Sequence, residues 1–326
     1  MDELWRLSAT RTRTERDMST AIFSHPDCLR HEMGDWHPES PARLRAIDDQ
    51  LILARLDGLI EQRSAPLADL ADVLRNHTPG ALALVRDNVP AAGDYYPIDG
   101  DTILCHDSYR AALRAAGAAV AATDAVIAGE IDNAFCSVRP PGHHATPTEP
   151  MGFCFFNNVA IAAHHAMEVH GLERVAIVDF DVHHGNGTAD AFRNDPRVLM
   201  VGLFQHPFYP YCDPEPITAT NVNVPVPALA DGEAVRKLVG DHWLPALHAH
   251  RPQMIFVSAG FDGHREDDMG GIGLVEADYA WITRQVMAIA RQYAGGRIVS
   301  CLEGGYALSA LGRSVVAHLK ALAELE

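Results

Sequence analysis

Val175-Ala176-Ile177-Val178-Asp179-Phe180-Asp181-Val182-His183-His184-Gly185-Asn186-Gly187 is an apolar run that ends in two carboxylates and two imidazoles. Its first four residues read as a buried strand. Isolated buried charges are costly and are retained where they are paired or bound to metal. If the chain stays extended, the period of two places Asp179, Asp181 and His183 on one side. Carboxylate oxygen and imidazole nitrogen both ligate zinc, and a catalytic site takes three protein ligands and leaves a position open. The stretch therefore offers two ligands and one partner for a neighbouring group, with the choice among the three open. A further ligand, a base and a donor for the reacting oxygen must come from elsewhere.

Outward from this strand the pattern alternates. Residues 133–138 read as a strand, 157–169 as a helix and 174–180 as the strand just quoted. A short helix near 188–192 precedes a strand at 198–203, and a proline-rich loop runs from 205 to 220. Helix 232–248 leads to strand 254–259, helix 276–293 to strand 297–302, and helix 308–325 closes the chain. Upstream, a strand at 20–23 enters a loop with His25, His31 and His37, whose spacing matches no structural zinc pattern and which is read as shaping a site entrance. A helix follows from Ala42, with Ser40 as its N-cap and Pro41 in the first helical position. Two short helices broken at Thr78-Pro79-Gly80 occupy 65–90, and an alanine-rich helix spans about 107–128, ended by Gly129. Strands alternating with helices imply an α/β domain with a mostly parallel central sheet flanked by helices. No linker or repeat divides it, so residues 18–326 are read as one catalytic domain, and residues 1–17 as a disordered extension or an alternative start.

Composition narrows the class. The 326 residues carry a formal net charge of -17, with 48% hydrophobic and 21% charged residues. An acidic chain is poorly suited to generic nucleic-acid binding, which relies on Lys and Arg neutralising phosphates. Six cysteines without a CxxC pair point to reduced thiols and a cytoplasmic protein. No apolar run approaches a membrane span. A homo-oligomer is compatible with all of this.

Four strands deliver polar residues just past their C-terminal ends, where open α/β sheets bind ligands. The first yields Arg139-Pro140-Pro141-Gly142-His143-His144 and the second the opening motif. The third yields Gly260-Phe261-Asp262-Gly263-His264, and the fourth Glu303-Gly304-Gly305-Tyr306. Four clusters at four such ends are expected to converge on one site.

With Met151-Gly152-Phe153-Cys154-Phe155-Phe156-Asn157-Asn158 added, these motifs resemble the zinc-dependent histone deacetylase family, in its class II-like and bacterial amidohydrolase branch. The resemblance runs from His37-Pro38-Glu39 to the last helix and implies the arginase/deacetylase fold. It also implies hydrolysis of the amide bond of acylated lysine, a linear amide, by metal-activated water. Carried over residue by residue, it makes Asp181, His183 and Asp262 the metal ligands, for zinc or ferrous iron. His144 becomes the general base and proton donor, His143 its electrostatic partner, Asp179 the carboxylate on His143, and Asn186 the group that orients His144. Tyr306 becomes the oxyanion donor. Gly152 and Phe153 line an acyl-lysine channel opposite Phe208 or Tyr209, although Pro210-Tyr211-Cys212-Asp213 departs from the glycine-rich turn usual there. Asp101 holds substrate backbone at the rim. Met269 stands where polyamine-preferring relatives carry an acid, which favours acyl-lysine over acetylpolyamine.

Structural potassium is implied at main-chain oxygens of Asp179, Asp181, His183 and Leu203, with a second site at Phe192 and Val198. Gly202 stands where the family commonly has a hydroxyl residue. The alternative substrates are acetylpolyamines or other small acylated amines, and a non-catalytic acyl-lysine binding module is the reading from outside the enzymes. A two-metal ureohydrolase is disfavoured because His264, not a carboxylate, stands two residues past Asp262. His164, His165 and His170, on or just after a helix, read as bland, and Cys154 as a packed thiol.

Overall fold

The computed structural model describes residues 18–325, so the reading of residues 1–17 lies outside the described residues. In chain order the elements are β1 (Thr20–Ser24), α1 (Ala42–Leu53), β2 (Glu61–Ser64), α2 (Leu70–Asn76), α3 (Pro79–Asp87), β3 (Tyr96–Pro97), β4 (Ile103–Leu104) and α4 (Ser108–Ile127). Next come β5 (Asn133–Cys136), α5 (Asn158–Glu168), β6 (Val175–Asp179), α6 (Asn186–Phe192), β7 (Val198–Gln205) and β8 (Asn221–Val226). The chain finishes with α7 (Gly232–Leu238), α8 (Leu244–His250), β9 (Met254–Ala259), α9 (Glu276–Ile289), β10 (Ile298–Leu302) and α10 (Leu308–Leu322).

Eight strands form one parallel sheet in the order β2-β1-β5-β10-β9-β6-β7-β8, and β3 and β4 make a small antiparallel ribbon. The central strands are buried along their whole length, as expected when helices cover both faces of a parallel sheet. Residues such as Ile22, Phe135, Val178, Phe256 and Val299 join the surrounding helices in one large core. A smaller apolar cluster, including Val73, Leu82, Phe155 and Ile161, lies under α2 to α5. The result is a single α/β domain.

Two strands lack a readable signal. β2, Glu-Gln-Arg-Ser, is mostly exposed and has no apolar alternation, because it is an edge strand whose partners are backbone groups of β1. β8 alternates Val222, Val224 and Val226, but Pro225 argues against a strand; at the opposite edge its missing N–H costs nothing. The start of α1 is also corrected. Pro41 already has helical φ and ψ and occupies the cap position, and it is the Ser40 carbonyl, not its hydroxyl, that accepts from Arg43 N–H.

The expected helix at 232–248 is α7 and α8 joined by a π-helical turn, Val239–Trp243. That turn carries the fully buried Trp243 inward, where its indole N–H donates to the Gly202 carbonyl at 3.2 Å. Among the described residues no helix is long and apolar enough to cross a membrane.

Candidate active site

The four polar clusters follow β5, β10, β9 and β6, which are four consecutive neighbours at the middle of the sheet. Their C-terminal ends therefore open into one place, a cavity of ≈ 260 Å³. Its lining includes His143, His144, His183, Gly304 and Tyr306 at depth, with Asp101, Gly152, Phe153, Phe208, Tyr209 and Met269 around it.

At the end of β6, Asp179 and Asp181 part company. Asp179 Oδ2 accepts from His143 at Nδ1, 3.0 Å away. Asp181 turns toward β10, where its Oδ2 accepts from Gly304 N–H at 2.8 Å, and its Oδ1 faces His183 Nδ1 at 3.0 Å. Asp262, after β9, points an oxygen at the same His183 nitrogen from 3.2 Å. Asp181, His183 and Asp262 each bring one ligand atom within 4.8 Å of the others, all buried.

The backbone is shaped around these carboxylates. A Cβ on Gly304 would fall 1.9 Å from Asp262 Oδ2 and 2.6 Å from Asp181 Oδ2, so no side chain fits there.

Two buried carboxylates, Asp181 and Asp262, face one imidazole in a dry site. Burial pulls the His183 imidazole down, but the Asp181 and Asp262 carboxylates outweigh it and hold the ring at about 10. Burial and the Asp181 charge push the Asp262 carboxyl up to about 6. Asp262 Oδ2 is buried and receives no well-formed hydrogen bond, although His183 Nδ1 stands nearby. An orphaned carboxylate oxygen beside a second carboxylate and an imidazole is a donor set that fits zinc or ferrous iron.

The tandem histidines are driven apart. Burial works against the charged form of His143, yet Asp181 and Asp179 outweigh it and raise its pKa well above the ordinary value. His144 is lowered well below it, by burial first and then by the positive neighbours His143 and His183. Its Nδ1 lies 2.7 Å from Asn186 Oδ1, whose own amide N–H₂ donates to Met151 Sδ at 3.3 Å. With Nδ1–H donated to an amide oxygen, Nε2 of His144 carries the lone pair. Paired groups with opposed environments are the pattern of an acid–base site.

The channel wall is aromatic. Phe208 stacks on His183 with ring centroids 5.4 Å apart, and Tyr209 meets His144 edge-on at 5.1 Å. Phe153 stands between His37 at 4.6 Å and Tyr306 at 6.0 Å. Its φ of +69° is rare for a bulky residue, and its N–H is tied to Thr102 Oγ1 at 3.1 Å. Of the three loop histidines only His37 fits the entrance reading: it packs on Phe153 and contacts the Asp101 carbonyl at 3.1 Å. His31 is wholly buried beside Ser108 and Glu39, and His25 Nδ1 accepts from Asp27 N–H. Burial and the neighbouring Asp99 push the Asp101 carboxyl up to about 6.

Some positions lie off the cavity. His184 packs edge-on against Phe204 at 4.6 Å and is not in the lining. Phe192 closes α6 and Val198 opens β7, while Leu203 and Gly202 lie in β7. The space a Gly202 side chain would fill is taken by Asn223 of β8, whose Oδ1 would lie 2.1 Å from such a Cβ.

The motifs did not reveal several supporting residues. Glu303 is buried and accepts from Gly142 N–H at 2.6 Å and His143 N–H at 3.1 Å, pinning the tandem-histidine loop. Burial pushes its carboxyl up to about 7 against the pull of His143. Asp267 accepts from the backbone N–H groups of Tyr306 and Ala307 at 2.6 and 2.8 Å. Arg43 donates to the Gly305 carbonyl at 2.6 Å and stands 4.9 Å over the Tyr306 ring, itself paired with Glu39, which also binds Arg139. Glu39 and Arg43, an acid and a base four residues apart across the start of α1, were the available signal.

The family model described as a histone deacetylase domain matches residues 37–322. A histone deacetylase-like amidohydrolase of Pseudomonas aeruginosa is 38% identical over 315 residues, covering 88% of this chain and 81% of its own. A probable deacetylase of Archaeoglobus fulgidus is 37% identical, over 89% of this chain and 82% of its own. The crystal structure of an HDA15 HD domain superposes with a TM-score of 0.89 at 32% identity, covering 95% of this chain and 89% of that one.

Proposed function

This chain belongs to the histone deacetylase family, and from that premise we propose that it removes acyl groups from lysine side chains. The observation that carries the reading is the meeting of two oppositely tuned histidines with the Asp181–His183–Asp262 cluster, whose His183 joins them in lining one aromatic-walled cavity. Family membership supports a hydrolase acting on acylated amines. The lysine substrate, the metal and the residue roles are our proposal.

Asp181, His183 and Asp262 would hold a divalent cation, zinc or ferrous iron, which would supply Lewis-acid polarisation of the scissile carbonyl and acidify the attacking water. His144 takes the proton from that water at Nε2, because its Nδ1–H is committed to Asn186. His143, kept positive by Asp181 and Asp179, stabilises the negative charge that grows beside it. Tyr306 donates its phenolic O–H to the developing oxyanion. Once the C–N bond breaks, His144 returns its proton to the departing lysine amine. Gly152, Phe153, Phe208 and Tyr209 grip the aliphatic stem and exclude water, while Asp101 accepts from substrate backbone at the rim. Potassium at main-chain oxygens of Asp179, Asp181, His183 and Leu203, and near Phe192 and Val198, is carried over from the resemblance.

An acetyl-lysine reporter tests the reading: the chain should turn it over, a hydroxamate should inhibit, and Asp181→Ala should be inactive. Full activity in that variant rejects the mechanism. Small acylated amines are the second reading, kept open by the exposed Asp268 beside Met269 in the cavity lining. Comparing kcat/KM on acetyl-lysine peptide and acetylpolyamine decides between them.

A further inference from the structure

Where α2, α4 and α5 pack together, outside the cavity lining, another set of ligating atoms converges. His165 of α5 is buried, and its two ring nitrogens face two different carboxylates. Nδ1 lies 2.9 Å from Asp72 Oδ1 on α2, and Nε2 lies 2.8 Å from Asp124 Oδ1 near the end of α4. His170, two residues past α5, brings its Nε2 to 2.6 Å from that same Asp124 oxygen. One ligand atom from each of Asp124, His165 and His170 lies within 4.8 Å of the other two.

Hydrogen accounting distinguishes this group from an ordinary surface ion pair. A neutral imidazole has one N–H. When a neutral His165 donates Nδ1–H to Asp72, its Nε2 presents a lone pair to a carboxylate oxygen, a contact that is repulsive unless a second proton or a metal ion joins the pair. Asp72 is where a carboxylate must stand to orient a metal-bound imidazole and raise its basicity. It is held there in turn by Arg75, whose Nε–H donates to Asp72 Oδ1 at 3.1 Å. Tetrahedral zinc with ligands at about 2.0–2.1 Å needs ligand atoms roughly 3.3 Å apart. Moving the Asp124 oxygen out to that spacing from the two histidine nitrogens takes less than an ångström, and the Asp124 side chain is 51% exposed.

We propose that Asp124, His165 and His170 form a second metal site, remote from the cavity, that takes a divalent transition-metal ion of the zinc type. The imidazoles give nitrogen selectivity over calcium and magnesium, the carboxylate balances charge, and the exposed side admits the ion. Unlike the cavity ligands, this group has an open face to solvent, so its ion exchanges more readily.

The test uses the untagged full chain, stripped with chelator, titrated with Zn²⁺ and analysed by elemental mass spectrometry and calorimetry. His170→Ala and Asp124→Asn, both at partly exposed positions, are each expected to bind one zinc fewer per chain than the unaltered protein. Activity on an acetyl-lysine reporter is expected to stay within twofold. Cobalt(II) in the unaltered protein should give tetrahedral ligand-field absorption, part of which both variants lose. If the unaltered chain and both variants bind the same number of ions, the proposal is wrong and His165 is a doubly protonated bridge between two carboxylates.

Discussion

Asn186 Oδ1 lies 2.7 Å from Nδ1 of His144, in the place where the neighbouring His143 has a carboxylate. An amide orients the ring without adding charge, so His144 stays neutral under the pressure of burial and of His143. As a base it fails once protonated, so kcat/KM should fall as pH drops through its pKa, which lies below the ordinary imidazole value. Asn186→Asp puts a negative charge at hydrogen-bond distance and raises that pKa by about 1–3 pH units. The acidic limb of the kcat/KM profile should move to higher pH by a similar amount; an unmoved limb removes His144 from the role of base.

Tyr306 is held by its backbone on Asp267 and by Arg43 over its ring, so the ring should stay in place when the hydroxyl is removed. Tyr306→Phe is expected to lower kcat by about 100- to 1000-fold with KM little changed. Steady-state kinetics on one peptide checks this, and a change confined to KM would assign the ring to binding alone.

Metal removal should silence the chain. Prolonged chelation is expected to bring kcat/KM below about 1% of the starting value, as follows when Lewis-acid stabilisation worth several kcal/mol is lost. Adding back zinc and ferrous iron separately shows which restores more activity, and Asp181→Ala should respond to neither.

Glu303 gives a prediction about stability. Glu303→Ala leaves the Gly142 and His143 N–H groups and the Ser258 hydroxyl without their acceptor. Each unsatisfied buried group costs about 1–3 kcal/mol. Urea unfolding should show a lower midpoint, and kcat should fall with it because the tandem-histidine loop loses its anchor.

Met269 bears on substrate choice. Met269→Glu adds a carboxylate at the cavity wall, where a solvent-exposed ion pair is worth up to about 1 kcal/mol. The ratio of kcat/KM for acetylpolyamine over acetyl-lysine peptide should rise by about fivefold. No change in the ratio would leave selectivity to another part of the rim.

Much of this protein was legible in local pattern. The apolar runs of β5, β6, β9 and β10 announce buried parallel strands, and the polar residues just past each mark the ligand-binding end. β2 and β8 were not legible, because edge strands carry exposed or proline-containing sequences whose pairing partners are backbone atoms. The holding roles of Arg43, Glu303 and Asp267 escaped because each acts on main-chain groups of the site loops, which have no residue type to recognise.

The sequence alone supplied the main candidates for the site: Asp179, Asp181 and His183 at the end of β6, a tandem histidine after β5, Asp262 after β9 and Tyr306 after β10. Only the tertiary structure decided how they divide. The sheet places β10 and β9 between β5 and β6, so Asp181 reaches Gly304 N–H and lies beside Asp262, while Asp179 is left to face His143. Periodicity along a chain fixes the face a residue occupies. Strand order and side-chain direction depend on pairings between distant segments, and those set the difference between Asp181, in the proposed metal cluster, and the carboxylate two residues before it.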